Sequence, residues 1–197
     1  MKYQFFNLLI VITYLVAACG EKPASKANAT AEPEVCYNPN ALTNDTTKRS
    51  VKSAVAGKIG SASVNINYYS PKVRGRVIWG GLVPYGEVWV TGGHDATNVT
   101  VSQNFEVNGV QIPAGKYAFF TIPGKESWTV ILNKKWEQHL ANEYDQKDDL
   151  VRIQVIPENN AHTERLQYFV NDVGNNEGTI AVAWETVKIR LPLKIKD

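Results

Sequence analysis

The chain has 197 residues, of which 44% are hydrophobic, and its 21 basic and 19 acidic side chains leave a formal net charge of +2. This balance, without a dense cluster of Lys and Arg, excludes the strongly basic class of nucleic-acid-binding domains. The length allows one domain with a sizeable core once shorter terminal segments are set aside.

Residues 1–18 have the layout of a secretory signal peptide. Lys2 precedes a mostly apolar run from Phe5 to Val16, and small residues then lead up to Cys19. The run is too short to cross a bilayer, which takes about 18 apolar residues or more. We therefore expect residues 1–18 to be removed during export.

The residues from Val16 to Cys19 resemble the lipobox of bacterial lipoproteins. In those proteins cleavage precedes a cysteine, which then carries diacylglycerol and usually a further acyl chain such as palmitate. The resemblance implies that Cys19 is a lipid anchor in the bacterial cell envelope, and two or three chains make membrane attachment effectively permanent. In such lipoproteins an Asp after the cysteine favours the inner membrane. This chain has Gly20 at that position, which indicates the outer membrane. An ordinary signal peptide with a cysteine near its end is the alternative.

Residues 19–55 are expected to form a tether between the lipid and the folded domain. The stretch is rich in Ala, Asn, Thr, Ser, Lys, Glu and Pro, so it buries too little apolar surface to offset the entropy of ordering. Lipidation of Cys19 would leave Cys36 as the one thiol of the mature chain, which excludes an internal disulfide.

Residues 56–197 are predicted to form one β domain, because apolar and polar side chains alternate with a period of two. The alternating stretches are residues 61–69, 98–102, 151–155, 166–170 and 187–193. Residues 117–122 and 128–132 are apolar on both faces, which predicts central strands that are covered on two sides.

Turn signals and one helical pattern complete the expected architecture. Asn108 and Gly109 predict a tight hairpin over residues 105–112. Trp136 and Leu140 lie four residues apart, which predicts a short helix over residues 134–144. The sequence thus predicts an all-β fold, an antiparallel β-sandwich with one short helix in a connection, for which a jelly roll is one arrangement.

From Tyr69 onward the chain contains a series of distinctive motifs. They are Ser70-Pro71, Arg76, residues 80–86, Trp89, Thr91-Gly92, Ala96-Thr97, residues 113–115, Tyr117, Ile122-Pro123, residues 128–131 and Asn133. This series resembles a bacterial family known as domain of unknown function 2911. The chain departs from the family pattern at Val90 and His94, where the family usually has Arg and Asn. The resemblance implies an exported all-β domain and supplies no reaction.

Residues 74–97 are the best candidate for a ligand-binding surface. They combine glycines, which let a backbone approach a ligand closely, with aromatic faces and guanidinium groups. The candidate residues are Arg74, Arg76, Trp79, Tyr85, Trp89, Thr91, His94 and Asp95. In the competing interpretation Trp79 and Trp89 belong to the core, the glycines form tight bends and the arginines lie on a solvated face.

Catalytic and metal-binding sets have weaker support in the sequence. His94 and Asp95 can act as a base and its orienting carboxylate only in a loop, because adjacent strand residues point to opposite faces. No spacing of Ser, His and Asp identifies a hydrolase. His139 and Glu143 would share a helix face, so together with His94 and Asp95 they are a weak candidate for a metal site. The sequence therefore assigns no catalytic residue, metal or cofactor.

Three functions are compatible with these patterns. The first is a non-enzymatic lipoprotein for binding or envelope maintenance, attached to the membrane by its lipid, with a small molecule, a glycan or a protein as ligand. The second is an envelope enzyme that acts on carbohydrate or peptide through His94 and Asp95. The third is a structural subunit of an envelope assembly. The first is favoured, because aromatic, arginine and glycine residues occur together without a catalytic set.

Overall fold

The computed structural model describes residues 46–196, which form ten β-strands and one 3-10 turn at Gln146–Asp148. The strands are β1 (Val51–Ile59), β2 (Ala62–Ser70), β3 (Asn98–Val101), β4 (Phe105–Val107), β5 (Val110–Ile112), β6 (Gly115–Ile122), β7 (Trp128–Asn133), β8 (Asp149–Val155), β9 (Glu158–Gly174) and β10 (Glu177–Ile195). No helix within residues 46–196 is long and apolar enough to span a membrane. The expectations for the leader, Cys19 and Cys36 lie outside the described residues.

The strands form two antiparallel sheets that pack face to face, which confirms the predicted all-β sandwich. The larger sheet has six strands in the order β1-β2-β3-β6-β7-β8, and the smaller has four in the order β5-β4-β10-β9. Neighbours in the larger sheet are also neighbours in sequence, except between β3 and β6, where the β4–β5 hairpin crosses to the smaller sheet. The order is a meander with one excursion rather than the paired Greek keys of a jelly roll.

The main core lies between the sheets and is built from the inward positions of each strand. Along β2, Val64 and Ile66 are fully buried, whereas Asn65 between them faces outward. From the other sheet, β10 contributes Leu191 and Leu193. The period-two alternation in the sequence thus marks the two faces of the strands, as predicted.

The first strand shows how the two sheets approach each other. β1 starts at Val51, so residues 51–55, which the sequence assigned to the tether, pair with β2 instead. Strand β9 of the other sheet runs beside β1, so close that a Cβ on Gly57 would lie 2.7 Å from the Cβ of Val170. Gly57 therefore permits a backbone approach that a larger residue would prevent.

The predicted hairpin and the predicted central strands are confirmed. Asn108 and Gly109 have φ angles of 49° and 83°, as a two-residue turn between β4 and β5 requires. Strands β6 and β7 are buried on both faces. On their outer face Phe120 and Ile131 belong to a second, smaller core, which the connections formed by residues 84–97 and 134–145 cover.

The helix predicted over residues 134–144 is wrong, because in the described chain these residues form turns and extended segments. Trp136 packs on the smaller core, but Leu140 is 41% exposed and has a φ of 55°, so the two do not share a helix face. A tertiary hydrogen bond is made instead of a helical one, from Leu140 N to His94 O at 2.8 Å. The two covering connections therefore pair with each other.

A polar cluster fixes the end of the 134–145 connection against β8. The Tyr144 hydroxyl donates to Oδ2 of Asp149 at 2.7 Å, and Nδ2 of Asn133 donates to Oδ1 of the same carboxylate at 2.8 Å. Burial, followed by the hydrogen bond to Asp149, raises the pKa of Tyr144 to about 12.

This raised pKa predicts a loss of stability in alkali. The phenol of Tyr144 titrates near 10 when unperturbed and near 12 in the folded chain, so its contribution to stability is complete below about pH 10 and is lost as the pH rises towards about 12. We expect the urea midpoint to fall between about pH 9 and about pH 11, and to fall less in Tyr144→Phe. All other titrating groups are common to the two proteins, so an identical fall in both would contradict the prediction.

Candidate functional site

The connection between β2 and β3, residues 71–97, carries all eight predicted ligand-binding residues, and the structure distributes them over three places. Trp79 and Trp89 are half-buried against the main core and Thr91 is fully buried, Arg74, Arg76 and Tyr85 are exposed, and His94 and Asp95 lie beside the outer face of the larger sheet. The eight residues therefore do not form one binding surface.

Trp79 and Trp89 belong to an aromatic cluster in the main core. Trp79 packs against Trp128 with ring centroids 4.8 Å apart, and Trp89 stacks on Trp184 at 5.8 Å. Nε1 of Trp89 donates to Gly92 O at 3.1 Å. The four rings line a cavity of only about 10 Å³, which has room for no more than about one water molecule. Trp79 and Trp89 therefore pack with the core, as the competing interpretation of the sequence held.

Thr91 is a buried structural residue. Its Oγ1 shares a hydrogen bond of 3.0 Å with Oγ1 of Thr121, and its carbonyl accepts one of 2.8 Å from the Tyr168 hydroxyl. Burial raises the pKa of Tyr168 well above its usual range, so this hydroxyl keeps its proton and donates. These bonds tie the connection to β6 and β9, and they leave Thr91 no surface for a ligand.

Arg74, Arg76 and Tyr85 frame an exposed loop. The guanidinium of Arg76 donates to the carbonyl of Val73 at 3.1 Å and also to that of Lys72, so it holds the turn that precedes it. Tyr85 lies against Gly80, where a Cβ would come within 2.8 Å of the ring. The contacts of Arg76 and Tyr85 are therefore made within the loop and stabilise its conformation.

His94 and Asp95 diverge from each other. His94 has a φ of 55°, and its ring meets that of Tyr69 with centroids 5.0 Å apart. Oδ1 of Asp95 lies 3.2 Å from Nδ1 of His139, and the backbones of these two residues form an antiparallel bridge. The carboxylate–imidazole pair of this region is therefore Asp95 with His139, not Asp95 with His94.

The four residues considered for a metal do not converge. Glu143 pairs with Lys135 at 2.7 Å, and the hydrogen bond from this ammonium lowers the pKa of the Glu143 carboxyl. Among residues 46–196 no three His, Cys, Asp or Glu side chains lie close enough together to hold an ion. Of the proposed set, the structure brings together Asp95 and His139.

A cleft of about 210 Å³ opens beside Asp95 on the outer face of the larger sheet. The residues that line it are Lys52, Asn67, Tyr68, Tyr69, Asp95, Ala96, Asn98 and Lys116. Strand register explains this set, because Lys52 of β1 lies opposite Tyr69 of β2 and Asn67 of β2 lies opposite Asn98 of β3. The sheet is the floor of the cleft, and the connection that carries Asp95 is its wall.

The cleft combines two ammonium groups with two amides and one carboxylate. Nδ2 of Asn67 donates to Oδ1 of Asn98 over 3.4 Å, a long hydrogen bond that a ligand group can replace. Nζ of Lys116 lies 3.5 Å from the ring centroid of Trp136, and this cation–π contact holds the ammonium in place. The arrangement suits a ligand that presents anionic oxygens to the lysines and hydroxyl groups to the amides.

Five residues of the cleft with groups suited to a ligand were not predicted from the sequence: Lys52, Asn67, Tyr69, Asn98 and Lys116. Each occupies an outward position of a strand, and the alternation does mark that face. The pairing register that brings residues of four strands together is a tertiary property, which alternation within one strand does not reveal.

Comparison with known proteins identifies a family. The family model described as "Protein of unknown function (DUF2911)" matches residues 50–193, from just before β1 to within β10, and so includes both sheets and the cleft. No curated protein and no solved structure matches the chain. Because the family model spans well over half of the sequence, this chain belongs to DUF2911, a family of proteins of unknown function.

Proposed function

We propose that this protein is a lipid-anchored binding protein of the bacterial cell envelope, whose cleft takes a small polar molecule with a carboxylate group. The sequence supports the location, since an apolar leader ends in a lipobox at Cys19. One observation carries the binding role: the cleft gathers two lysines and two asparagines on one sheet face, next to Asp95.

The groups in the cleft favour a sugar acid as the ligand class. Lys52 and Lys116 match a carboxylate, while the amides of Asn67 and Asn98 both donate to and accept from hydroxyl groups. Tyr69 offers an aromatic face to the apolar side of a sugar ring. A uronic acid combines these three features in one small molecule.

The first test compares glucuronate with glucose, which lacks the carboxylate. We expect glucuronate to bind more tightly, and Lys52→Met to weaken it about tenfold, which corresponds to about 1.4 kcal/mol. Lys58→Met is the matched control, because Lys58 is exposed on the same strand and the same sheet face but lies outside the cleft. Titration calorimetry measures both affinities. Equal binding of the two sugars, or an equal loss in both variants, would count against the cleft.

The second test concerns the anchor. In Cys19→Ser we expect the protein to leave the membrane fraction, because a serine hydroxyl does not receive the lipid on which permanent attachment depends. Cys36→Ser changes the other thiol and should stay in the membrane. Fractionation shows the location, and the intact mass of the native protein should correspond to an acylated chain that starts at Cys19. An unacylated native chain would refute the anchor.

A second candidate function is an envelope enzyme that acts on carbohydrate or peptide. The Asp95–His139 pair favours it, because a carboxylate that orients an imidazole beside a cleft is the geometry of a general base. Its test is a hydrolysis rate on carbohydrate or peptide that is lost in His139→Gln. His162→Gln is the control, since His162 forms a similar exposed pair with Glu164 at 3.3 Å.

A further inference from the structure

The β2–β3 connection ends in an exposed apolar tip, which consists of Val77, Leu82 and Tyr85. These side chains are 74%, 47% and 39% exposed. Two residues between them, Ile78 and Val83, are buried in the main core. The loop is therefore anchored from within while its large apolar side chains point to solvent.

The tip is an ordered structure. Val83 N donates to Ile78 O at 2.9 Å, and Leu82 N donates to Val77 O at 3.0 Å. The turn is so tight that a Cβ on Gly81 would lie 2.4 Å from Val77 O. An ordered loop that presents several apolar side chains to solvent is typical of an interaction surface.

The described chain enters the domain beside this loop. Nη2 of Arg165 donates to Thr47 O at 2.8 Å, and Nη1 of Arg74 donates to Lys48 O at 3.5 Å. Arg74 lies three residues before Val77. Thr47 and Lys48, near the start of the described residues, therefore lie beside the connection that carries the apolar tip.

The surroundings of the tip are predominantly basic. The exposed cations are Lys48, Arg49, Arg74 and Arg76, and the exposed carboxylates close to them in the chain or in contact are Glu87 and Glu164. Apolar side chains with a tyrosine, flanked by Lys and Arg, match the interfacial zone of a bilayer with anionic headgroups.

We propose that the apolar tip docks onto the bilayer that holds the lipid of Cys19. The inference rests on the proposed anchor and extends it: the lipid keeps the protein at the membrane, and the tip sets which face of the domain meets the surface. The cleft lies on the outer face of the larger sheet, away from the tip's buried supports Ile78 and Val83. Docking therefore gives the cleft a defined orientation relative to the membrane.

The test places a fluorescent probe at the tip of the native, acylated chain. In a Cys36→Ser background, Val77→Cys and Val173→Cys are each labelled and reconstituted into vesicles of phosphatidylethanolamine and phosphatidylglycerol with a spin-labelled quencher near the headgroups. Val173 is the matched control, since it is 66% exposed and lies nine residues along β9 from Glu164, which contacts Arg74, a distance of roughly 30 Å.

We expect quenching at position 77 to exceed that at position 173 roughly threefold, and Leu82→Asp to remove the excess. Equal quenching at the two positions in an acylated chain would overturn the docking and leave the anchor intact. If the protein instead self-associates and Leu82→Asp abolishes this association, the tip binds a second copy of the chain and the docking proposal is overturned. A native chain without acyl mass would overturn the anchor and the docking together.

Discussion

Trp184→Ala is expected to lower the free energy of unfolding by about 3–5 kcal/mol. Trp184 is among the largest fully buried side chains, stacks on Trp89 and packs against Trp79 at a centroid distance of 5.8 Å. Truncation leaves a large cavity between the sheets, because Trp79 and Trp89 are held by the β2–β3 connection and cannot collapse into the space. Urea unfolding followed by circular dichroism measures the change.

Trp184→Phe tests how much of this stability comes from an aromatic ring and how much from the indole nitrogen. Nε1 of Trp184 makes no hydrogen bond to the described residues, so replacing the indole by phenyl loses volume without leaving an acceptor unpaired. We expect a cost well under half that of Trp184→Ala. If the alanine variant unfolds within about 1 kcal/mol of the native protein, the aromatic cluster does not have the central role in the core that its packing indicates.

Arg165→Met is expected to have the second large effect, roughly 2–4 kcal/mol. Arg165 is only 4% exposed, and its guanidinium donates to Ser70 O at 2.7 Å, to Thr47 O at 2.8 Å and to Arg49 O at 3.2 Å. Methionine keeps the aliphatic part of the side chain but leaves these carbonyls without their charged donor. The residues that precede β1 would lose their attachment to β9.

Two measurements separate this role from a general effect of charge. Arg190→Met removes an exposed guanidinium that pairs with Glu158 at 2.8 Å, and it should cost less than about 1 kcal/mol. Trypsin should cut after Lys48 and Arg49 faster in Arg165→Met than in Arg190→Met. Similar unfolding energies and similar cleavage in the two variants would show that Arg165 does not hold the entering chain.

Most of the strands could be predicted because their signal is local. Alternation along residues 187–193 follows directly from one face packing on the core, and the Asn108-Gly109 pair specifies its turn by its own backbone preferences. The prediction of a helix over residues 134–144 was wrong for the opposite reason. Its backbone follows tertiary hydrogen bonds, such as the one from Leu140 N to His94 O, that no local pattern shows.

The site was harder to predict than the fold. Residue type identified Trp79 and Trp89 as able to bind a ligand, but the same aromatic surface also builds a core, and only the packing distinguishes the two. Asp95 was predicted as a ligand-binding residue beside His94, and the structure places it at the cleft with His139, from a distant connection, as the partner of its carboxylate. Both outcomes depend on contacts between segments that are far apart in sequence.

A sandwich made of long strands is open to growth by edge-to-edge pairing, in which one molecule adds its outermost strand to that of the next. Strand β1 borders the larger sheet and exposes Lys52 and Lys58, and lysines on an edge strand oppose such pairing. At the opposite border, β8 exposes Arg152 and Gln154, and charged or hydrated side chains on an edge strand oppose such pairing. Both edge strands of the larger sheet thus carry side chains that oppose growth into fibrils.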